Sequence, residues 1–385
     1  MVSPFFGEEH DILRDQIRRF VREEVDPHGE DWERDGHVPR GVLKKMGDLG
    51  FFGLRYPERY GGAEMGYLGT ALLAEELGRS TFGGFAITAL VHTDMASPHL
   101  ANAGTEAQQD KYMPGIVAGE VITAVAVTEP DAGSDVAAIR TRAVRDGDHW
   151  VLNGSKIYIT NGVLADVVFV AAKTDLEAQG SRGVSIFIVE RGTPGFSVAQ
   201  QLDKMGWRSS DTAELVFEDC RVPAANLLGE ENRGFYAIMQ NFQNERIALA
   251  AQAIGEAQKG LDLTHEYALN RKAFGKTLWD QPVIRNKLAM LQAKVSAARS
   301  FIYETAWRAS QGEEVVRDVS MLKALCGDLV NEVMYACQQY HGGFGYMQGT
   351  PIERMVRDAR VQAVGGGATE VMLEEVAKRM GPSNY

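Results

Sequence analysis

The chain has 385 residues, of which 45% are hydrophobic and 24% charged, a balance typical of a globular protein with two or three domains. Its net charge of −12 argues against nucleic acid or an anionic membrane surface as the main partner. The three cysteines, Cys220, Cys326 and Cys337, lack CxxC spacing, so we expect small buried residues, not a metal site or disulfides. Without an apolar leader or an 18-residue apolar run, we expect a cytoplasmic protein with no membrane span.

Apolar residues recur at helical spacing through the first 120 residues. In EEHDILRDQIRRFVREEV, the residues Ile12, Ile17 and Phe20 fall on one stripe opposite the charged residues, which predicts an amphipathic helix. GVLKKMGDLGFFGL and LGTALLAEELGRS show the same spacing. We therefore predict a helical domain over residues 1–120.

The pattern changes to short β-branched and aromatic runs over residues 121–229, bounded by Gly, Asn, Asp and Pro. No long helical pattern separates these runs, which favours an antiparallel sandwich or barrel over alternating strands and helices. No GxGxxG follows a strand, so a Rossmann cofactor site is not expected. Long helical patterns rich in Ala and Leu fill residues 230–385 and predict a helix bundle, which makes the fold class α+β.

Four segments combine glycines with hydroxyl, aromatic or basic residues. They are AVTEPDAGSD (126–135), GSKIYITNG (154–162), RKAFGK (271–276) and QYHGGFGYM (339–347). The first offers backbone N–H groups and hydroxyls to a polar ligand, and the second places Tyr158 and Thr160 on one strand face, where they suit a flat ring. A surface turn, cross-strand packing, a basic helix end and a helix cap are the respective structural alternatives.

A fifth segment, VQAVGGGATEV, carries three consecutive glycines, Gly365 to Gly367, in a stretch that otherwise predicts helix. Each glycine costs about 1 kcal/mol against alanine inside a helix. Either the chain turns here, or a group approaches the backbone too closely for a side chain.

In this order, and on this layout, the segments resemble the acyl-CoA dehydrogenase family over nearly the whole chain. AVTEPDAGSDVAA and QYHGGFGYMQGTPIERMVRD correspond to the two family signatures, and the second departs from its signature at Gly349. The resemblance implies an N-terminal helical domain, a middle antiparallel β domain and a C-terminal four-helix bundle. It also implies FAD as cofactor, an acyl-CoA substrate, a homotetramer built as a dimer of dimers, and an electron-transferring flavoprotein as acceptor.

The resemblance also assigns a set of cofactor-binding positions. These are Val127, Thr128, Gly133, Ser134, Tyr158, Thr160, Arg271, Phe274, Gln281, Gln339, Gly343 and Glu370. Arg271, Phe274, Gln339 and Gly343 correspond to residues that reach the FAD of a neighbouring subunit. Ser134 and Arg246 correspond to substrate-binding positions. The chain departs from the usual flavin contacts at Val125, Pro282 and Ala368.

The dehydrogenation of an acyl thioester needs a carboxylate base. Many family members carry this Glu in the glycine-rich segment, where this chain has Gly366. Members of the isovaleryl and long-chain type carry it on the first helix of the C-terminal domain, and Glu245 occupies that position. A solvated helix acid is the structural alternative. The resemblance implies that Glu245 takes the α-proton, that flavin N5 takes the β-hydride, and that the Gly366 N–H binds the thioester carbonyl.

Three other functions remain open from the sequence. The first is dehydrogenation of an acyl group on a carrier protein. The second is a flavin monooxygenase or oxidase that reacts with oxygen. The third is a helical scaffold without activity. The carrier-protein reaction uses the same pantetheine arm and is not separated by the sequence. An oxygen-using enzyme need not keep a base, so Glu245 counts against that function, and the retained flavin-facing residues count against the scaffold.

Overall fold

The computed structural model describes residues 4–178 and 180–381 and places helices before and after a β-sheet, which confirms the α+β fold class. Within these ranges no helix combines the length and the hydropathy that crossing a bilayer requires. Cys220, Cys326 and Cys337 are buried and unbridged, as the sequence predicts.

The helices that precede the sheet include two π-helical turns, Val21–Val25 and Val91–Ala96. The α-helices are α1 (Glu8–Phe20), α2 (Gly29–Asp35), α3 (Arg40–Asp48), α4 (Gly66–Gly78), α5 (Gly83–Leu90), α6 (Ser97–Ala103) and α7 (Glu106–Val117). In α1 the buried face carries Leu13, Ile17 and Phe20. The prediction for Ile12 is wrong, because it lies about 100° around the helix from Leu13 and is 54% exposed.

The strands of the sheet are β1 (Thr123–Ala126), β2 (Arg142–Asp146), β3 (His149–Thr160), β4 (Val167–Lys173), β5 (Val184–Glu190), β6 (Phe196–Gln201), β7 (Thr212–Pro223) and β8 (Leu227–Leu228). Their order in the sheet is β6-β7-β3-β2-β4-β5-β8, with β1 paired to β4. Neighbouring strands run antiparallel, except that β4 runs parallel to β1 and, at one register position, to β2. Trp150, Phe187 and Phe217 belong to the apolar core of this sheet.

The elements after the sheet are mostly long helices. They are α8 (Gly234–Asn270), β9 (Lys272–Ala273), β10 (Lys276–Thr277), α9 (Pro282–Ser310), α10 (Val316–His341), α11 (Pro351–Ala359) and α12 (Thr369–Ala377). Helix α8 packs against α9, α10 and also α4. A Cβ on Gly255 would lie 2.0 Å from the carbonyl oxygen of Glu75, and one on Gly78 would lie 2.3 Å from that of Gln252. The backbones of α4 and α8 therefore touch, which fixes α8 against the N-terminal helices.

Candidate active site

The first group of candidate residues lies where α8 passes the three consecutive glycines between α11 and α12. Gly366 has a φ of +62°, a left-handed conformation that side chains disfavour. A Cβ on Gly366 would lie 2.2 Å from Leu249 Cδ1 and 3.2 Å from Glu245 Oε1. The chain therefore turns at these glycines, and the side chains of Leu249 and Glu245 also lie close to the backbone of Gly366. The Glu245 carboxylate lies directly against Gly366, so the structure brings together the two residues predicted to act in catalysis.

The Glu245 side chain is largely enclosed but keeps part of its surface open. Burial raises the pKa of its carboxyl to about 7, and the positive charges of Arg246 and Lys323 oppose the rise. At neutral pH the carboxyl is therefore present in both its protonated and its ionised form. A general base works best when its pKa lies near the working pH, so this environment suits proton abstraction.

Lys323 on α10 holds the glycine turn, and it is absent from the sequence predictions. Its buried Nζ donates hydrogen bonds to the carbonyl oxygens of Gln362, at 2.7 Å, and Gly367, at 3.1 Å. The signal in the sequence is a lysine between Leu322 and Cys326, inside the apolar stripe of a bundle helix. Such a lysine must find polar partners when it is buried, and here the partners are backbone carbonyls.

Arg246, the predicted substrate-binding residue, lies beside Glu245 and is half-buried. One guanidinium nitrogen donates to Ser320 Oγ at 3.3 Å, and the group lies 5.6 Å from the centroid of the Phe242 ring. Its Nε is buried and has no hydrogen-bond acceptor among the described residues. Burial lowers the pKa of Arg246, an effect that Glu245 opposes. The guanidinium thus keeps a buried donor, its Nε–H, without a partner among the described residues.

The second group surrounds the loop after β1, which carries Val127, Thr128, Gly133 and Ser134. Lys156 on β3 holds this loop, because its buried Nζ donates to the Val127 carbonyl and to Glu129 Oε1, both at 2.8 Å. The Thr128 carbonyl accepts the N–H of Ile157 at 3.0 Å. This support leaves Ser134 exposed and the space beside Gly133 open to a ligand.

Strand β3 presents Tyr158 and Thr160 next to this loop. The pairing of β3 with β7 is irregular between Lys156 and Ile159, and Tyr158 within it has a φ of +62°. A bulky aromatic residue rarely adopts this conformation, and bulges of this kind often redirect a side chain next to an active site. The Tyr158 ring is consequently 68% exposed instead of packed in the sheet.

Unpartnered polar atoms at the end of β3 provide a test of whether a flavin fits. Asn161 donates through Nδ2 to the Thr88 carbonyl at 3.0 Å, but Asn161 Oδ1 and Thr88 Oγ1 are buried without partners among the described residues. An exposed aromatic ring, hydroxyl groups and spare polar atoms together suit a flat heteroaromatic ring with polar edges, so the residues fit a flavin. Among the described residues, no group of His, Cys, Asp and Glu has a metal-binding arrangement.

The π-helical turn Val91–Ala96 joins the first and second groups. His92 Nδ1 lies 3.0 Å from Thr123 Oγ1 at the start of β1, and the carbonyl of Asp94 accepts the side-chain amide of Asn244 at 2.6 Å. Asn244 directly precedes Glu245 on α8. A single short turn therefore sets the position of the loop after β1 relative to the candidate base, a role in keeping with the frequent occurrence of π-bulges at functional sites.

The third group, predicted to contact a neighbouring subunit, lies elsewhere. Phe274 is at the tip of the β9–β10 hairpin, with positive φ at Phe274 and Gly275 and with 98% of its side chain exposed. Arg271 and Gln339 are exposed as well, Gly343 has open space around it, and Gln281 is half-buried. Arg271 follows the end of α8, about 39 Å along the helix from Glu245 at 1.5 Å per residue. One chain therefore does not bring Arg271 to its own Glu245. Glu370 is exposed in the first turn of α12.

Comparisons with known proteins agree across the whole chain. The family models of the acyl-CoA dehydrogenase N-terminal, middle and C-terminal domains match residues 7–120, 124–220 and 232–381. The mitochondrial long-chain specific acyl-CoA dehydrogenase of Mus musculus is 43% identical over 98% of this chain and 88% of the relative. The mitochondrial isovaleryl-CoA dehydrogenase of Pongo abelii is 39% identical over 95% of this chain and 87% of the relative.

Solved structures give the same result. An acyl-CoA dehydrogenase from Geobacillus kaustophilus has a TM-score of 0.95 and 39% identity, covering 98% of this chain and all of that chain. A prolyl acyl carrier protein oxidase has a TM-score of 0.92 and 30% identity, with the same coverage of both chains. The chain belongs to the acyl-CoA dehydrogenase family, whose members are FAD-dependent flavoproteins.

Proposed function

We propose that this enzyme oxidises an acyl-CoA thioester to the trans-2-enoyl-CoA, with Glu245 as the base that removes the α-proton. This proposal rests on the placement of the Glu245 carboxylate against Gly366. Glu245 Oε1 lies 3.2 Å from the position that a Cβ on Gly366 would take. In family members with the base in the glycine-rich segment, the carboxylate comes from that segment itself. Here α8 supplies a carboxylate to the same place, and the glycine leaves room for it.

The residues around the reacting carbon have separate tasks. Glu245 takes the α-proton in its ionised form, which its pKa of about 7 makes available at neutral pH. The Gly366 N–H has no acceptor among the described residues. We therefore propose that it donates to the thioester carbonyl. A single donor of this kind is worth about 3 kcal/mol to a developing oxyanion. The unpartnered Nε of Arg246 offers a further donor to the substrate.

Bound FAD supplies the acceptor for the β-hydride at its N5 atom. Val127, Thr128, Gly133, Ser134, Tyr158 and Thr160 are the residues that we propose to hold it from within the chain. Lys156 keeps the loop after β1 in place beneath them. An electron-transferring flavoprotein is the proposed acceptor from the reduced enzyme, on the strength of the family resemblance.

A second copy of the chain completes the site in this proposal, and a homotetramer is the assembly we infer. Its support is the separation of about 39 Å along α8 between Glu245 and Arg271, together with the exposed Phe274 at the hairpin tip. With 98% of its side chain exposed, Phe274 is available for contact with another chain. We also propose three domains with boundaries after residues 120 and 229, close to the starts of β1 and α8.

Dehydrogenation of a carrier-protein-bound acyl group is the second candidate. The similarity to the prolyl acyl carrier protein oxidase favours it, because the name of that protein indicates a substrate bound to a carrier protein. Both candidates need the same base and the same thioester carbonyl. They differ in the partner that presents the pantetheine arm.

An anaerobic titration of the flavin-loaded protein tests the proposal. We expect one CoA thioester, from a panel of short, long and branched acyl groups, to bleach the flavin, and Glu245→Gln to slow this reaction by about 10²–10⁴-fold because general bases contribute that much. Equal rates in the mutant and the wild type contradict the role of Glu245. Bleaching by acyl-carrier proteins but by no CoA thioester favours the second candidate.

A further inference from the structure

One face of α10 anchors the segment that contains the glycine turn. Lys323, Gly327 and Asn331 occur at four-residue spacing, so they lie on one side of the helix. Asn331 Nδ2 donates to the Ala359 carbonyl at 3.0 Å, and a Cβ on Gly327 would lie 2.7 Å from the Gln362 carbonyl oxygen. The backbone after α11 therefore lies directly on α10, where no side chain keeps it away.

Lys323 binds the turn at both of its ends. Its two acceptors, the carbonyls of Gln362 and Gly367, enclose Gly365 and Gly366. Without this ammonium group, the buried Gln362 carbonyl and the partly buried Gly367 carbonyl lose their donor. The glycines between them, which are the most flexible residues, then lose their fixed ends. Lys323 makes no ion pair within hydrogen-bond distance among the described residues, so an ion pair does not explain why a lysine is buried here.

The charge of Lys323 also acts on Glu245. The charged groups that face this carboxyl are Arg246 on α8 and Lys323 on α10, and both lower its pKa against the effect of burial. Burial lowers the pKa of Lys323 itself to about 8, and Glu245 opposes that shift. Arg246 and, on its own helix, Asp328 are the other charged groups that influence Lys323. At neutral pH the lysine is therefore still mostly protonated while the acid is half-ionised.

We propose that Lys323 is a positioning residue for the dehydrogenation: its ammonium group fixes the turn that presents Gly366 to the substrate and places a cation near the Glu245 carboxylate. This inference rests on the proposed function of Glu245 and Gly366. Lys323 itself touches neither the substrate nor the proton in this scheme. It acts through the geometry of the turn and through the ionisation of the base.

Three variants separate these effects from a general loss of structure. Lys323→Met removes the donors and the charge at similar length, Lys323→Arg keeps the charge, and Asn331→Leu removes an anchor of the same segment without changing any charge. The limiting rate of anaerobic flavin reduction is measured from pH 5.5 to 9, together with thioester affinity. Hydrogen exchange of the flavin-loaded protein without substrate, over residues 359–369, supplies a readout that is independent of activity.

For Lys323→Met we expect a limiting rate at least 30-fold lower, a pH midpoint raised by about one unit, and thioester affinity changed by less than the rate. Hydrogen exchange should rise over 362–367 and stay unchanged along α10. Lys323→Arg should keep the wild-type midpoint, and Asn331→Leu should change neither the midpoint nor the exchange at 365–367. If Lys323→Met does not fold, Lys323→Gln replaces it in the comparison with Lys323→Arg.

A wild-type rate, midpoint and exchange pattern in Lys323→Met overturns the inference. An equal midpoint shift in Asn331→Leu also overturns it, because anchoring alone would then suffice. Failure of every thioester to reduce the wild-type flavin argues against the proposed function instead, and the exchange measurement still decides whether Lys323 fixes the turn.

Discussion

Two buried lysines in this enzyme lie close to two acids, and the two acids behave in opposite ways. Lys156 donates directly to Glu129 at 2.8 Å under the loop after β1. Lys323 donates to two backbone carbonyls and acts on Glu245 only through its charge. Burial lowers the pKa of both lysines to about 8.

The difference lies in where the hydrogen bonds go. Although burial acts to raise it, the pKa of Glu129 is held below its ordinary value by Lys156 and by hydrogen bonds from Thr141 and the Arg140 backbone. Glu245 receives no such bonds from Lys323, and its pKa rises to about 7. A direct buried pair thus gives a permanently charged acid that supports structure, whereas a lysine held away by carbonyls leaves an acid able to exchange protons.

The largest expected effect comes from breaking the direct pair. Lys156→Met leaves the Glu129 carboxylate buried without its cation, so we expect the free energy of unfolding to fall by about 3–5 kcal/mol. Urea denaturation at pH 7 measures the change. The double variant Lys156→Met/Glu129→Gln removes the buried charge as well and should regain much of the loss. A loss below about 1 kcal/mol in the single variant would show that the pair is not structural.

An intermediate effect is expected from a substitution in the glycine turn that Lys323 holds. Gly366→Ala places a methyl group 2.2 Å from Leu249 Cδ1 and 3.2 Å from Glu245 Oε1, at a φ of +62° that alanine disfavours. The Leu249 side chain or the turn must therefore shift next to Glu245. We expect flavin reduction by a bound thioester to slow by about 100-fold, the typical effect of losing one oxyanion donor. Stopped-flow absorbance under anaerobic conditions measures the rate.

Gly365→Ala is the matched control for this prediction. A Cβ on Gly365 would meet Val361 Cγ2 at 3.5 Å, an ordinary contact, and Gly365 is not among the residues with positive φ. We expect its rate to stay within about threefold of the wild type, since the conformation of the turn is retained. Equal losses in both variants would mean that the turn tolerates no alanine at all, and that Gly366 has no special position.

The sequence predicted the fold class, because helical and strand periodicities are local and the family resemblance covers nearly the whole chain. The resemblance also named Glu245 and Gly366, which lie next to each other in the structure. Its prediction for Ile12 failed because the choice between neighbouring positions of a stripe depends on what packs against it. Lys156 and Lys323 were missed for a related reason. Their partners are backbone carbonyls and an acid from distant segments, and the sequence does not show which carbonyls a folded chain leaves without donors.

A third buried acid, Glu256 on α8, has no lysine among the groups that shift its pKa. Glu256 Oε1 accepts the side-chain amides of Gln252, at 2.9 Å, and Gln362, at 3.3 Å, while Oε2 has no partner among the described residues. Burial, together with the charge of Asp358, raises its pKa to about 8. Glu256 is therefore mostly protonated at neutral pH, although it contacts the same segment that carries Gly366.

The smallest effect on the rate is expected for Glu256→Gln, because glutamine resembles the protonated acid and keeps the acceptor oxygen. We expect flavin reduction at pH 7 to stay within about twofold of the wild type, against the 10²–10⁴-fold loss for Glu245→Gln. The raised pKa of Glu256 stabilises the fold fully below its unfolded pKa, and this stabilisation is lost as the pH rises towards 8. Glutamine does not titrate, so the free energy of unfolding of Glu256→Gln, from urea denaturation, should increasingly exceed that of the wild type between pH 5 and pH 8. A constant difference across this range would mean that Glu256 is ionised in the folded protein, and that a buried acid on α8 needs no lysine to stay charged.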